Sequence, residues 1–132
     1  MLGNEPEALT QLVRHLFNLG HQRIGWLGGN SALGRHDARL NAMKAAMQPL
    51  GLSLDPRYAV VVQQADRAEG AEAIHTLLPY AKRKDFPTAF ITYNTQMAYG
   101  AILTLQRAGW KVPDDISLAS ADVSRLSVEG VI

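Results

Sequence analysis

The residues of this 132-residue chain that could do chemistry are four histidines, a scatter of serines, one carboxylate pair and a group of glycines. His15, His21, His36 and His75 include no pair at the i, i+4 spacing by which one helix face grips a metal, and no H-E-x-x-H occurs. His15 and His75 fall on helices and read as surface or boundary residues. His36-Asp37 could border a cleft, but adjacent helical residues point apart. No metal site is expected. The serines at 31, 117, 120, 124 and 127 lack a Gly-x-Ser-x-Gly elbow. Asp114-Asp115, after Val112-Pro113, reads as an exposed turn. The chain has no cysteine, which excludes thiolate catalysis, disulfides and cysteine-held metals. The expectation is a protein that is not an enzyme and carries no cofactor.

Gly25, Gly28, Gly29 and Gly34 invite a nucleotide reading, since glycines after a first strand let backbone N–H groups approach phosphate. The spacing is not G-x-G-x-x-G, and no Gly-Lys-Ser/Thr follows. A tight strand-to-helix turn is the plainer explanation. More informative are the polar residues that follow each strand-like run: Asn30 and Ser31, Gln63 and Gln64, Tyr93 and Asn94, and Asp122. In open α/β sheets the carboxyl ends of the strands form the ligand crevice. Uncharged hydrogen-bonding groups with one carboxylate and one nearby Arg suit a neutral polyhydroxylated ligand better than a polyphosphate. The competing explanation is that loops are polar anyway.

Those groups need elements to hold them. Leu9, Leu12, Val13 and Leu16 stripe a helix over Pro6 to Leu19, which Gly20 can stop. The run Ile24 to Leu27 reads as a strand. Met43, Ala46, Met47 and Leu50 mark a second helix from about Ser31 to Gln48, closed by Pro49 and Gly51. Tyr58 to Val62 reads as a strand, Asp66 and Glu69 as a capping box, and Ala71, Ile74, Leu77, Leu78 and Ala81 as the stripe of a third helix. Thr88 to Thr92 reads as a strand. Asn94 or Thr95 caps a helix striped by Ala98, Ala101, Ile102 and Leu105, and Gly109 ends it. Ile116 to Ala121 is the last strand. The strands are short and almost continuously apolar, as parallel strands covered on both faces are. The fold class is α/β, with right-handed crossovers in a layered domain.

Bulk composition agrees. A chain with 47% apolar and 19% charged residues can build one core without staples. No run reaches the roughly 18 apolar residues of a membrane span, and no secretion signal opens the sequence. No membrane contact and a cytoplasmic location are therefore expected. The formal charge of +1 provides no electrostatic footprint for nucleic acid. The one basic cluster, Lys82-Arg83-Lys84, reads as a solvated helix end.

The stretch Leu19-Gly20-His21-Gln22-Arg23-Ile24-Gly25-Trp26-Leu27-Gly28-Gly29 closely resembles the L-G-H-x-R-I-x-x-[IL]-G-G signature of the LacI family of bacterial transcription regulators. Arg39, Pro87 to Phe90 leading to Asn94 to Ala101, and Val112 to Leu118 follow in the family's order, and the likeness runs from about Leu9 to Asp122. The resemblance implies a three-layer parallel-sheet lobe of the periplasmic-binding-protein type I fold, as an incomplete fragment. Residues 1–21 would be a helix of the first lobe or crossover, 22–122 most of the second lobe, and 123–132 a crossover tail. It implies a small-molecule effector, a sugar or related metabolite, and DNA contact only through an absent N-terminal helix-turn-helix domain.

By the same resemblance Arg39, Asn94 and Asp122 bind the effector: a guanidinium fork, an amide that donates and accepts, and a carboxylate for two hydroxyls. Asn30, Ser31 and Gln64 join them from the strand ends. Tyr99 would lie at a homodimer interface, unless it is an ordinary surface tyrosine. Three positions depart from the family pattern, with Thr95 and Val123 where aspartates are usual and Ala65 where an aromatic often stands. The alternatives are an extracytoplasmic sugar-binding receptor of a transport system and, further off, a small nucleotide-using α/β enzyme.

Overall fold

A computed structural model describes residues 5–29 and 35–121, with the side chains of 5, 6, 35 and 36 outside that description. Helix α1 spans Glu5–Asn18, strand β1 Ile24–Gly29, helix α2 Arg35–Met47, strand β2 Ala59–Val62, helix α3 Arg67–Leu77, strand β3 Ala89–Thr92, helix α4 Thr95–Arg107 and strand β4 Ser117–Ser120. The strands form one parallel sheet in the order β2-β1-β3-β4. The chain steps from β1 outward to β2, then crosses back to β3 and on to β4. Right-handed crossovers then require α2 on one face and α3 with α4 on the other. Packing agrees, since α1 lies against α2 and α3 against α4.

The α1–α2 layer packs through side chains. Leu9, Leu12, Val13 and Leu16 of α1 and Met43 and Met47 of α2 are buried in the same core as Trp26, Phe90, Ile91 and Leu118 of the sheet. The helix expected to belong to a first lobe or crossover thus shares this chain's own core. Gly20 closes the segment at φ +103°, a left-handed conformation that costs glycine nothing, and Gly109 does the same after α4 at φ +92°.

The α3–α4 layer packs backbone to backbone. A Cβ on Gly70 would fall 2.8 Å from the Met97 Cα, and one on Gly100 would fall 2.9 Å from the Ala71 N and overlap the Arg67 carbonyl. The buried face of α3 is accordingly Gly70, Ala73, Ile74 and Leu77, whereas Ala71 of the expected stripe is half-buried. Glycine inside a helix costs about 1 kcal/mol relative to alanine, so its use here marks the close approach.

The glycines of β1 need a similar correction. Gly25, Gly28 and Gly29 lie within the strand and not in a turn after it. A Cβ on Gly25 would stand 2.6 Å from the Phe90 ring and 2.9 Å from the Tyr58 carbonyl, and one on Gly29 would stand 2.9 Å from Val62. Neighbouring side chains close over this strand. Gly34 falls outside the described residues. All of β1, β3 and β4 is buried, while β2, one of the two edge strands, is only partly so.

Candidate functional site

At the carboxyl edge of the sheet, the strand order reverses between β1 and β3, the position where open α/β sheets form a crevice. Tyr93 is the hub. Its N–H donates to the Leu27 carbonyl in the carboxyl half of β1, 2.7 Å away. Its own carbonyl accepts from Arg39 Nη1 at 2.7 Å, and the Arg39 guanidinium lies 4.5 Å over the Tyr93 ring. Arg39 is brought there by α2 and is only 7% exposed, so this charge sits inside the rim and not in bulk water. A buried guanidinium persists only where hydrogen bonds and a ring face replace its hydration.

Asn94 follows at the end of β3 and caps α4. Its Oδ1 accepts from the Met97 N–H at 2.9 Å, which satisfies an otherwise unpaired donor of the first turn. Its Nδ2 donates to the Ala65 carbonyl at 2.8 Å, tying the loop after β3 to the loop after β2. Thr92 Oγ1 donates to the Asn94 carbonyl at 2.8 Å, and the Ala121 N–H donates to the Thr92 carbonyl at 2.8 Å, so β4 joins the same edge. The hydroxyls of Thr95 and Ser120 stand 3.4 Å apart.

The loop after β2 carries Gln64, whose side chain is exposed. Asp66 Oδ1 accepts from the Glu69 N–H at 2.8 Å, as the capping-box spacing predicts. The reciprocal half differs. The Glu69 carboxylate takes the backbone N–H groups of Gln63 and Gln64, at 3.1 and 3.0 Å, instead of that of Asp66. Glu69 therefore shapes the loop as well as the helix start.

Arg39, Gln64 and Asn94 share one rim, with Tyr93 between Arg39 and Asn94. Asn30, Ser31 and Asp122 lie outside the described residues, as does Val123. Tyr99 is 45% exposed on the outer face of α4, away from the sheet edge. The Arg67 guanidinium covers its ring at 5.6 Å, and Leu103 beside it is 43% exposed. Sequence reasoning missed Tyr93 as the platform for Arg39 and Glu69 as a loop anchor. An aromatic just before a helix-capping Asn was the available signal for the first.

The opposite, amino edge of the sheet is also polar, but its groups satisfy one another. Arg57 pairs with Asp55 at 2.6 Å and Asp85 at 2.5 Å, and the Tyr58 hydroxyl donates to Asp85 at 2.8 Å. The hydrogen bond from Tyr58, joined by Arg57, holds the Asp85 carboxyl below its ordinary pKa. The Arg57 hydrogen bond does the same for Asp55. Burial, reinforced by the bond to Asp85, raises the Tyr58 hydroxyl. His21 Nδ1 meets Thr88 Oγ1 at 2.8 Å, and burial pushes its pKa down. Among the described residues no cluster of His, Asp and Glu has the form of a metal site. Asp114 and Asp115 are exposed in a turn, where the Asp115 carboxylate accepts from the Lys111 N–H at 2.7 Å.

Residues 13–129 match the family described as periplasmic binding protein-like domain. Curated relatives include the HTH-type transcriptional repressor PurR of Photobacterium profundum, 33% identical over 110 residues that make up 83% of this chain and 32% of that protein. The HTH-type transcriptional repressor CytR of Escherichia coli is 32% identical over 115 residues, 87% of this chain and 33% of its own. The chain spans about a third of the length of these relatives. Among solved structures, a sugar-binding transcriptional regulator of the LacI family from Escherichia coli, complexed with phosphate, superposes with a TM-score of 0.79. It is 28% identical, with 92% of this chain and 42% of that one covered.

Proposed function

Because the chain belongs to the periplasmic binding protein-like family, with LacI-type regulators as its relatives, we propose that it is part of the effector-binding region of a LacI-type transcriptional regulator. The effector is a small, uncharged, polyhydroxylated metabolite, a sugar or a related molecule. DNA contact belongs to a helix-turn-helix segment outside this chain, and the regulator works as a cytoplasmic homodimer with Tyr99 at the subunit contact. No catalytic step is assigned.

The observation that carries this reading is the placement of Arg39. A helix delivers a buried guanidinium to the carboxyl end of β3, beside Asn94, and a tyrosine ring and carbonyl fix its direction. Such a preset fork suits ring and hydroxyl oxygens. Asn94 spends one donor and one acceptor on the fold, and an amide with two donor hydrogens and two lone pairs retains one of each. Gln64 adds an adaptable amide from the loop after β2, and Asn30, Ser31 and Asp122 complete the rim in this proposal. In the intact regulator the effector sits between two lobes, and only its different affinity for two lobe arrangements can shift DNA binding.

The test is calorimetric titration of the complete regulator with its effector, comparing Arg39→Ala with the parent. Removing a buried charged donor lowers affinity by about tenfold or more. Unchanged affinity in a folded variant contradicts the site.

A further inference from the structure

Among the described residues the sheet ends in two edge strands, β2 and β4; β4 is buried throughout, whereas β2 is partly exposed. Among the described residues β2 pairs only with β1, so its other row of backbone N–H and C=O groups has no strand beside it. Natural edges are protected by charges, prolines or bulges, yet this strand reads Ala59-Val60-Val61-Val62. Val61 is 48% exposed, and the other three are half-buried. Beside the strand's amino half, toward α3, lies a cavity of about 320 Å³ walled by Val60, Leu77 and Tyr80, with Arg57 and Arg83 at its mouth. Tyr80 itself is 48% exposed. Backbone donors, apolar side chains and an apolar hollow thus converge on one edge.

The two ends of the strand differ in charge. At the amino end Arg57 and Arg83 are matched by Asp55 and Asp85, and Lys82 and Lys84 on the same turn leave that end net basic. At the carboxyl end stand Asp66 and Glu69, while Arg67 is drawn off over Tyr99. An identical strand laid alongside in the opposite direction would bring basic end to acidic end twice.

We propose that β2 forms a two-fold, antiparallel contact with β2 of a second copy of this chain, joining two four-stranded sheets into one. The axis of such a pair runs perpendicular to the sheet, so the α3 face of one copy continues into the α3 face of the other. The carboxyl half of each strand then closes the apolar hollow beside the amino half of its mate. A symmetric contact uses every complementary pair twice. This interface is separate from the α4 face that carries Tyr99. Four-residue strands bury less than the roughly 1,200 Å² of a standard stable interface, so the contact is weak and dependent on concentration.

Hydrogen exchange and sedimentation of the protein from about 10 μM to about 1 mM test it. The expected result is association with concentration-dependent protection of amides within Ala59–Val62. Val61→Lys, at an exposed position, places like charges across the axis and weakens association about tenfold or more. Val61→Thr keeps the shape and strand preference and retains association. A protein that stays monomeric throughout this range overturns the proposal. So does association whose protection maps to Tyr99–Leu103 and survives Val61→Lys. Because exchange is read on the parent protein, the result does not depend on any variant folding.

Discussion

The carboxyl and amino edges of this sheet use similar residues in different ways. At the amino edge, charges of both signs meet in pairs: Arg57 lies between Asp55 and Asp85, Tyr58 donates to Asp85, and His21 meets Thr88. Each group is there to satisfy another. At the carboxyl edge Arg39, the one buried charge among the described residues, has the Tyr93 ring and the Tyr93 backbone carbonyl among its partners. Inside a low-dielectric rim each of these contacts is electrostatically stronger than it would be in water. Similar polarity is spent on cohesion at one edge and, under the proposed function, serves recognition at the other.

Arg39 gives the sharpest break in this contrast. Beyond the loss of effector affinity stated above, Arg39→Ala leaves the Tyr93 carbonyl without its charged donor and lowers folding stability by about 2 kcal/mol. Arg39→Lys keeps the charge and recovers part of the stability but not the affinity, because a point charge lacks the fork. Urea unfolding and calorimetry on the same variants separate the two effects, and equal losses in both would erase the distinction between cohesion and recognition.

Asn94 comes next because it serves both purposes. Asn94→Ala removes the cap of α4 and the tie to Ala65, for about 2 kcal/mol in urea unfolding. Asn94→Asp keeps the capping oxygen and loses only the donated bond, so about half of that loss is expected.

The amino edge should control acid sensitivity instead. The Asp55 and Asp85 pKa values are lowered in the folded state. Their contribution is therefore complete above the unfolded value of about 4 and disappears as pH falls through the lower folded values. Asp85→Asn flattens the acid limb of a melting-temperature profile, and Asn94→Ala leaves its shape unchanged.

The smallest effect belongs to His21, whose pKa burial also lowers. A base depressed by burial favours folding most above its unfolded value of about 6.5, and stability declines as pH drops below it. His21→Gln removes that shallow slope between about pH 7 and 5 in thermal melts. An unaltered slope would assign it elsewhere.

Much of this arrangement was legible in residue order. The stripes of α1 and α4, the stop glycines at 20 and 109, the cap at Asn94 and the run of short apolar strands all follow from periods and local backbone chemistry, which act within a few residues. The glycines of β1 were misread as turn-formers, because the Phe90 ring that demands Gly25 arrives from 65 positions away. Gly70 and Gly100 find their reason only where α3 meets α4, because a Cβ on either would run into the facing helix backbone. The polar rim was visible as a set of strand-end residues, but the part played by Tyr93 was not, since a backbone carbonyl leaves no mark in a sequence.

The sequence by itself determined which segments become helix and strand, that the strands run parallel, and that polar groups collect where strands end. Propensity, periodicity and the handedness of crossovers suffice for that. Only the tertiary structure decided that Arg39 lies over Tyr93, that Glu69 grips the loop before its own helix, and that β2 is left as an open edge. Those outcomes depend on which surfaces come within a few ångströms, and that distance is set by the packing of every layer at once.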